Sequence, residues 1–218
     1  MTRKARRTRG RSSPGTTPDV VLKPRSRSEY LAYGISQVGS PPVMGVLSLF
    51  VIVASVTMPY VWLWTGVYVT MAMVAPLGFL FWQVRRGRVT DLDMHLREQR
   101  KGVLLVTVCG FGLSWLAMLI GQAPPLLKVM AGAGFVQWLI VFAITLRWKI
   151  SVHTTSAAGV MLLILRVFGP TAAPLAISIP LIAWSRVKLR QHTLGQAVAG
   201  VVLGSSVIVG GILLTPTL

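Results

Sequence analysis

A run of 44 residues, 41–84, carries no charged side chain and constrains the fold of this chain more than any other feature. A helix needs about 20 consecutive apolar residues to span a bilayer, so the run is long enough for two spans. Pro59 and Tyr60 lie near its middle; proline ends helices, and tyrosine is enriched at the membrane interface. The run therefore predicts two membrane spans, at about 42–58 and 61–83.

The rest of the chain continues this pattern. Further apolar segments predict spans at about 103–121, 126–147, 154–168, 171–185 and 195–213. Hydrophobic residues make up 53% of the sequence and charged residues only 12%, too few to cover the surface of a soluble domain. We therefore predict an all-α, polytopic transmembrane helix bundle of six or seven spans over residues 41–218, because the first two spans are the least clearly separate.

The N-terminal segment has a different composition. Residues 1–27 contain nine basic residues among Ser, Thr, Pro and Gly, which predicts a disordered basic tail because such a segment cannot bury apolar area. Residues 28–40 are mixed, and we predict a short interfacial helix there. The tail is expected to attract anionic membrane lipids. No aromatic residues alternate with its basic residues, so nucleic acid is not an expected partner.

The basic residues also indicate the orientation. Beyond the tail, all but Lys128 and Arg166 lie near 85–101, 147–153 and 185–192. Two predicted spans separate each of these loops from the next, so the three loops share one membrane face. The positive-inside rule makes that face cytoplasmic, together with the N-terminus of a multi-pass cell-membrane protein. A transporter is disfavoured, because Arg166 is the only charged residue deep in a span.

The inventory of reactive residues excludes several classes of site. The chain has five acidic residues and none after Glu98, which excludes a Ser-His-Asp triad or a carboxylate metal cage in the C-terminal half. Its one cysteine, Cys109, excludes a disulfide framework and a thiolate zinc site. We therefore predict no metal and no other cofactor. Nothing in the sequence indicates an oligomeric state.

The three polar loops hold every histidine and many of the basic residues. Guanidinium groups offer a planar fork of donors that matches phosphate oxygens. Two histidines beside such groups suit phosphoryl transfer, with one imidazole attacking phosphorus and the other protonating the leaving oxygen. The candidate residues are Arg97, Arg100 and Lys101 in the first loop, Lys149, Ser151 and His153 in the second, and Ser185, Arg186, Lys188, Arg190 and His192 in the third.

Their spacing resembles the signatures of the type-2 phosphatidic acid phosphatase and haloperoxidase superfamily. WSRVKLRQHTLGQ (184–196) resembles its third signature, S-R-x5-H-x3-D, and ISVHTTSAAG (150–159) is similar to the second, P-S-G-H. LREQRK (96–101) resembles a degenerate first signature, K-x6-R-P. The resemblance covers about residues 90–205 and belongs to the integral membrane lipid phosphatase branch, since the haloperoxidases are soluble.

The resemblance implies a function and a role for each matched residue. The chain would be a metal-independent phosphatase that hydrolyses a lipid phosphate or a prenyl (di)phosphate. His192 would form a phosphohistidine, and His153 would protonate the leaving group and then activate water. Arg100, Arg186 and Ser151 would hold the phosphate oxygens.

The chain departs from the signatures at several positions. Gln196 stands where the family has an aspartate, so it could orient the nucleophilic imidazole without adding negative charge. Asp93 replaces the lysine of the first signature, and either Asp93 or Asp91 could supply the missing carboxylate. Lys149 is a candidate phosphate contact by proximity alone. These departures keep two alternatives open: a catalytically weakened or inactive relative that binds lipid phosphates, and a phosphotransferase using the same site.

Overall fold

The computed structural model describes residues 26–55, 60–89 and 97–214. Within these ranges the chain is built from helices and contains no strand. The α-helices are α1 (Arg27–Val38), α2 (Pro41–Ser55), α3 (Val61–Tyr68), α4 (Ala75–Arg85), α5 (Arg97–Ile120), α6 (Pro125–Thr145), α7 (Val152–Phe168), α8 (Ser178–Lys188) and α9 (Leu194–Leu214). Residues 1–25 of the predicted tail lie outside the described residues, as do Asp91, Asp93 and His95.

The prediction of an all-α, polytopic membrane protein is confirmed. Helices long and apolar enough to cross a membrane cover Val61–Arg85, Glu98–Ile120, Pro125–Thr145, Val152–Lys188 and Leu194–Leu214. A sixth is obtained if α1 and α2, which meet at an angle of 45°, form one broken span. In the first of these helices, a π-helical turn at Val69–Val74 joins α3 to α4.

The run Val152–Lys188 counts as one span by length and composition, but it folds back on itself. Its two ends meet, because the Arg186 Nη1 lies 3.4 Å from the His153 Nε2. The chain reverses through a 3-10 helix at Gly169–Ile177. The predicted span at 171–185 therefore begins within this 3-10 helix, and the α-helix α8 begins only at Ser178. The prolines in the 3-10 segment explain the delay, since each lacks the N–H that an α-helix needs.

The hairpin of α7 and α8 is held against α9 by very close packing. A side chain at Gly204 would overlap the carbonyl oxygen of Thr155, and one at Gly200 would overlap the Thr154 hydroxyl. The Thr154 hydroxyl donates a hydrogen bond to the Ala197 carbonyl (2.9 Å). The G-x-x-x-G pattern of α9 thus serves packing inside the molecule, and it fixes the starts of α7 and α9 next to each other.

This packing gives a first prediction. Gly204→Ala is expected to destabilise the protein by about 1–3 kcal/mol, because the added methyl group overlaps main-chain atoms that cannot rotate away. Gly210→Ala is the matched control, since Gly210 lies in the same helix and a Cβ atom there would meet no atom of the packed elements within 4 Å. Thermal unfolding of both variants in detergent measures the effect. Equal unfolding temperatures would contradict the packing argument.

Candidate active site

The three polar loops meet at one end of the bundle. Arg100 lies in the first turn of α5, and its Nη1 donates a hydrogen bond to the carbonyl of Ile150 in the loop before α7 (3.4 Å). Arg186, at the end of α8, contacts His153 at the start of α7. The structure therefore brings residues from all three loops together, as the alternation of spans and basic loops requires.

The end of α8 explains the spacing between Arg186 and His192. Arg190 adopts the left-handed conformation with φ 54°, and its N–H donates to the Val187 carbonyl (2.9 Å). The N–H groups of Gln191 and His192 both donate to the Arg186 carbonyl (2.9 and 3.2 Å). These bonds form a Schellman motif, which reverses the chain and returns His192 to the arginine six residues before it.

Arg186 is the centre of the polar network. Its side chain is fully buried, and its Nη1 donates to the Ser36 hydroxyl (2.6 Å) and lies 3.4 Å from the His153 Nε2. Its Nη2 donates to the Gln191 Oε1 (3.4 Å). Because a guanidinium group only donates, the His153 Nε2 must accept in this contact and is unprotonated. One arginine thus links α1, α7 and the turn after α8.

The hydrogen bonds of His192 fix its tautomer. Its Nδ1 lies 3.1 Å from the Gln196 Oε1, and the same oxygen accepts the N–H of Thr193 (3.2 Å). The Nδ1 of His192 therefore carries the proton and donates it. Its Nε2 is buried and has no hydrogen-bond partner among the described residues. The Nε2 lone pair is consequently available to an electrophile.

Gln196 has a second, structural role. The Thr193 hydroxyl accepts the N–H of Gln196 (3.3 Å), while the Gln196 side chain accepts the N–H of Thr193. This reciprocal pair is a capping box, which begins α9. The T-x-x-Q pattern of a capping box is visible in the sequence, whereas the family resemblance predicted only that Gln196 replaces an aspartate. One side chain therefore both starts a helix and orients the imidazole.

The electrostatic environment of His192 keeps its ring neutral. Burial, followed by the positive charges of Arg100, Arg186 and Lys149, lowers the pKa of His192 to about 2. The hydrogen bond with Gln196 opposes this shift and raises the pKa. Arg100 is buried and Lys149 half-buried, so these charges act across a medium that screens them weakly. Three positive charges converging on a neutral imidazole favour an anionic ligand.

The serines of the two stronger signatures make structural hydrogen bonds. Ser151 is fully buried and caps α7, because its hydroxyl accepts the N–H of Thr154 (3.5 Å). Ser185 is also fully buried, and its hydroxyl donates to the Ile182 carbonyl (2.7 Å). Contact of Ser151 with phosphate stays a prediction.

The site opens into a cavity of about 480 Å³ inside the bundle. Arg100, His153 and His192 are among the residues that line it, and so are Gln37 and Ser40. Most of the other lining side chains are apolar or aromatic, among them Tyr68, Phe111, Met130, Trp138, Leu163 and Ile208. The volume is in the usual range for a ligand pocket, about 300–1,000 Å³. A lining with both charged and apolar side chains suits an elongated ligand with a charged head and an apolar tail.

Two members of the network were not found from the sequence. Gln191 lies inside the third signature at a position where the signature accepts any residue. Ser36 lies 150 residues before Arg186, and no pattern in the sequence connects the two. Within the ranges described, no three residues among His, Cys, Asp and Glu are grouped so that they could hold a metal ion.

Comparison of the chain with protein-family models, curated proteins and solved structures found no match. The resemblance to the phosphatase signatures therefore stays a prediction.

Proposed function

We propose that this protein is a membrane phosphatase that removes the phosphate group from a lipid phosphate or a prenyl (di)phosphate. The observation that carries the proposal is the His192 Nε2, which is deprotonated, buried and without a hydrogen-bond partner among the described residues. This nitrogen lies where a cationic cluster meets an apolar cavity. An unprotonated imidazole nitrogen, a cluster of positive charges and an apolar volume are thus adjacent, which supports the proposal.

In the first step, the His192 Nε2 attacks phosphorus and forms a P–N bond. The P–O bond to the lipid breaks, its electron pair leaves with the lipid oxygen, and the imidazolium form of His153 donates a proton to that oxygen. In the substrate-free site, Arg186 donates to the His153 Nε2. An incoming phosphate group attracts the same guanidinium N–H groups and brings a proton in its monoanionic form, which is populated near neutral pH because the second pKa of a phosphate monoester is about 6. This proton passes to the His153 Nε2, and the remaining negative charge of the phosphate group stabilises the imidazolium.

In the second step, water attacks phosphorus from the side opposite His192. His153 accepts a proton from this water, the P–N bond breaks, and inorganic phosphate leaves. The electron pair of the P–N bond returns to the His192 Nε2, which restores the starting tautomer. Arg100 and Arg186 stabilise the charge on the phosphate oxygens in both steps.

The cavity supports a lipid substrate. An acyl or prenyl chain would occupy its apolar part while the phosphate group contacts Arg100 and Arg186. Phosphatidate, phosphatidylglycerophosphate and polyprenyl (di)phosphates all have this chemistry. The basic loops around the site favour its position at the cytoplasmic face of the cell membrane.

Phosphate release by detergent-purified full-length protein tests the proposal. The substrates are phosphatidate, phosphatidylglycerophosphate, a prenyl phosphate and a prenyl diphosphate, each with excess EDTA. Glycerol 3-phosphate is the matched compound without an apolar chain. We expect release from at least one lipid to survive chelation and to exceed release from glycerol 3-phosphate. Release that stops with EDTA would contradict the mechanism, and equal release from glycerol 3-phosphate would contradict the lipid specificity.

One observation favours a second candidate function, a non-catalytic protein that binds lipid phosphates. The residue that orients His192 is the neutral Gln196, which adds no negative charge to stabilise a phosphorylated imidazole. This candidate predicts saturable binding of the same lipids without phosphate release. Phosphate release, measured alongside binding, separates the two functions.

Substitution of Gln196 tests its role in the reaction. Gln196→Leu removes both the helix cap and the acceptor for the His192 Nδ1. We expect phosphate release to fall about a hundredfold or more, because the imidazole loses its tautomer and orientation. Gln196→Glu keeps the capping pattern and adds a charge that stabilises the imidazolium, so we expect release to rise several-fold, to about tenfold at most.

Thr193→Ala is the control for helix capping. It removes the hydroxyl of the capping box but leaves the Gln196 Oε1 next to His192. We expect it to lower the stability by about 1 kcal/mol with little change in phosphate release. Equal activity losses in Gln196→Leu and Thr193→Ala would show that Gln196 acts only through the helix.

A further inference from the structure

Ser36 makes an unusual contact for a residue of α1. Its side chain is buried, with 1% of its surface exposed, and its oxygen accepts a hydrogen bond of 2.6 Å from the Arg186 Nη1. This distance is shorter than the usual N–H···O separation of about 2.9–3.0 Å. The contact joins the segment before the first apolar run to the arginine of the third signature.

The hydroxyl of Ser36 is used differently from those of three other buried serines. The hydroxyls of Ser48, Ser114 and Ser185 each donate to a carbonyl three residues earlier in their own helix. For Ser36, the bond from Arg186 is the one hydrogen bond found among the described residues. The guanidinium therefore orients this hydroxyl, whose own proton is directed away from the Arg186 N–H.

The packing of α1 on α8 makes the contact possible. Ala32, Ser36 and Gly39 follow one another at helical spacing, and Ala32 is fully buried. A Cβ atom at Gly39 would lie 2.6 Å from the Ile182 Cγ1, so the Ile182 side chain of α8 packs directly on Gly39 and would have to move to admit a larger residue. The close approach lets a short serine side chain reach Arg186. Gln37, the next residue, is one of the residues that line the cavity.

We infer that Ser36 is a positioning residue of the phosphate site, because it holds the Arg186 guanidinium next to His153 and so makes α1 part of that site. The inference rests on the proposed function, in which Arg186 binds the phosphate group. Without the Ser36 oxygen, the guanidinium keeps its contacts with His153 and Gln191 but loses the shortest of these three contacts. The arginine would then be less well placed to receive phosphate.

Stabilisation by inorganic phosphate provides a test that needs no turnover. Thermal unfolding of the purified full-length protein is followed at increasing phosphate concentration, because a ligand of the folded state raises the unfolding temperature. We expect Ser36→Ala to need about ten times more phosphate than the unsubstituted protein for the same stabilisation, the effect of losing one hydrogen bond to a charged group. Ser36→Thr keeps the hydroxyl and is expected to restore affinity.

Ser114→Ala is the matched control, because Ser114 is fully buried and its hydroxyl bonds within its own helix. We expect it to change phosphate affinity little. Should Ser36→Ala not fold, Ser36→Cys serves instead, since a thiol has nearly the same size but accepts hydrogen bonds weakly. Wild-type phosphate affinity in both Ser36→Ala and Ser36→Cys, or in whichever of them folds, would overturn the inference.

A double-mutant cycle shows whether Ser36 acts through Arg186. In an Arg186→Lys background, Ser36→Ala is expected to have little further effect on phosphate affinity, since the bond it removes no longer exists in the same form. A further tenfold loss of phosphate affinity in that background would overturn the inference. If the unsubstituted protein binds phosphate and releases none from any lipid, the catalytic proposal fails while the role of Ser36 in binding is still measured. If it binds none, both fail.

Discussion

Replacing His192 with alanine is expected to lower phosphate release by at least about a thousandfold. The substitution removes the nitrogen that would form the covalent intermediate in the proposed reaction. Among the described residues, this is the only buried imidazole nitrogen without a hydrogen-bond partner. Release from the best lipid of the panel, with excess EDTA, measures the loss. A variant that keeps a tenth of the activity would contradict a phosphohistidine mechanism.

His153→Ala is the informative control for this experiment. It removes the proton donor but keeps the nucleophile, so its effect depends on the leaving group. Lipid phosphates have a poor leaving oxygen, so the variant should turn them over much more slowly than the unsubstituted protein does. With an aryl phosphate, whose leaving oxygen needs no proton, the rate of the first step should fall less. His192→Ala should affect both substrates equally.

The low pKa of His192 also predicts how stability depends on pH. Burial and the neighbouring positive charges hold its folded-state pKa at about 2, below its ordinary value of 6.5. Between these values the unfolded chain binds a proton that the folded protein does not, so His192 destabilises the fold progressively as the pH falls below 6.5. Above that pH it has no effect. His192→Gln should show a weaker decline in unfolding temperature from pH 6.5 to pH 4, and parallel declines would contradict the shift.

Arg186→Lys has the second largest expected effect. Lysine keeps the positive charge, but its single ammonium group cannot contact Ser36, His153 and Gln191 in the geometry of a planar fork. We expect phosphate release to fall about a hundredfold to a thousandfold, the usual loss when a donor to a developing oxyanion is removed. Assays of phosphate release measure the loss of activity, and phosphate-dependent stabilisation measures how much of it is a loss of phosphate binding.

Lys188→Ala is the control for a general effect of positive charge. Lys188 lies in the same last turn of α8 but is exposed, which agrees with the role of a membrane-interface anchor. We expect its removal to change release less than about threefold, since an exposed charge is screened by solvent. Similar losses in Arg186→Lys and Lys188→Ala would mean that charge near the membrane, rather than the buried guanidinium, controls activity.

The apolar segments predicted most of the helices, because crossing a bilayer imposes length and composition on a sequence directly. The grouping of the polar loops followed from the same count of spans. The 3-10 turn before α8 was less predictable, since prolines mark a break but do not set its length. The capping role of Gln196 was readable from T-x-x-Q, but our sequence analysis missed it because only the family position was considered.

The contacts that complete the site lay beyond sequence reasoning for a physical reason. Ser36 reaches Arg186 because α1 and α8 pack closely against each other, and such tertiary contacts leave no periodic pattern. The tautomer of His192 likewise depends on where the Gln196 oxygen lies in space. Sequence patterns therefore indicated which residues could react, whereas the hydrogen-bond partners required the folded chain.

The separation of Ser36 and Arg186 along the chain has a consequence for biosynthesis. Contacts between distant segments form late, because the intervening chain must first be ordered. Synthesis proceeds from the N-terminus, so α1 is made before α8. The contact between Ser36 and Arg186 can form only after α8 has been made and its hairpin with α7 has closed. A ribosome that stops before α9 leaves a chain without the packing that fixes α7 and without Gln196. The His192 imidazole is therefore oriented only in a protein whose last helix has been made.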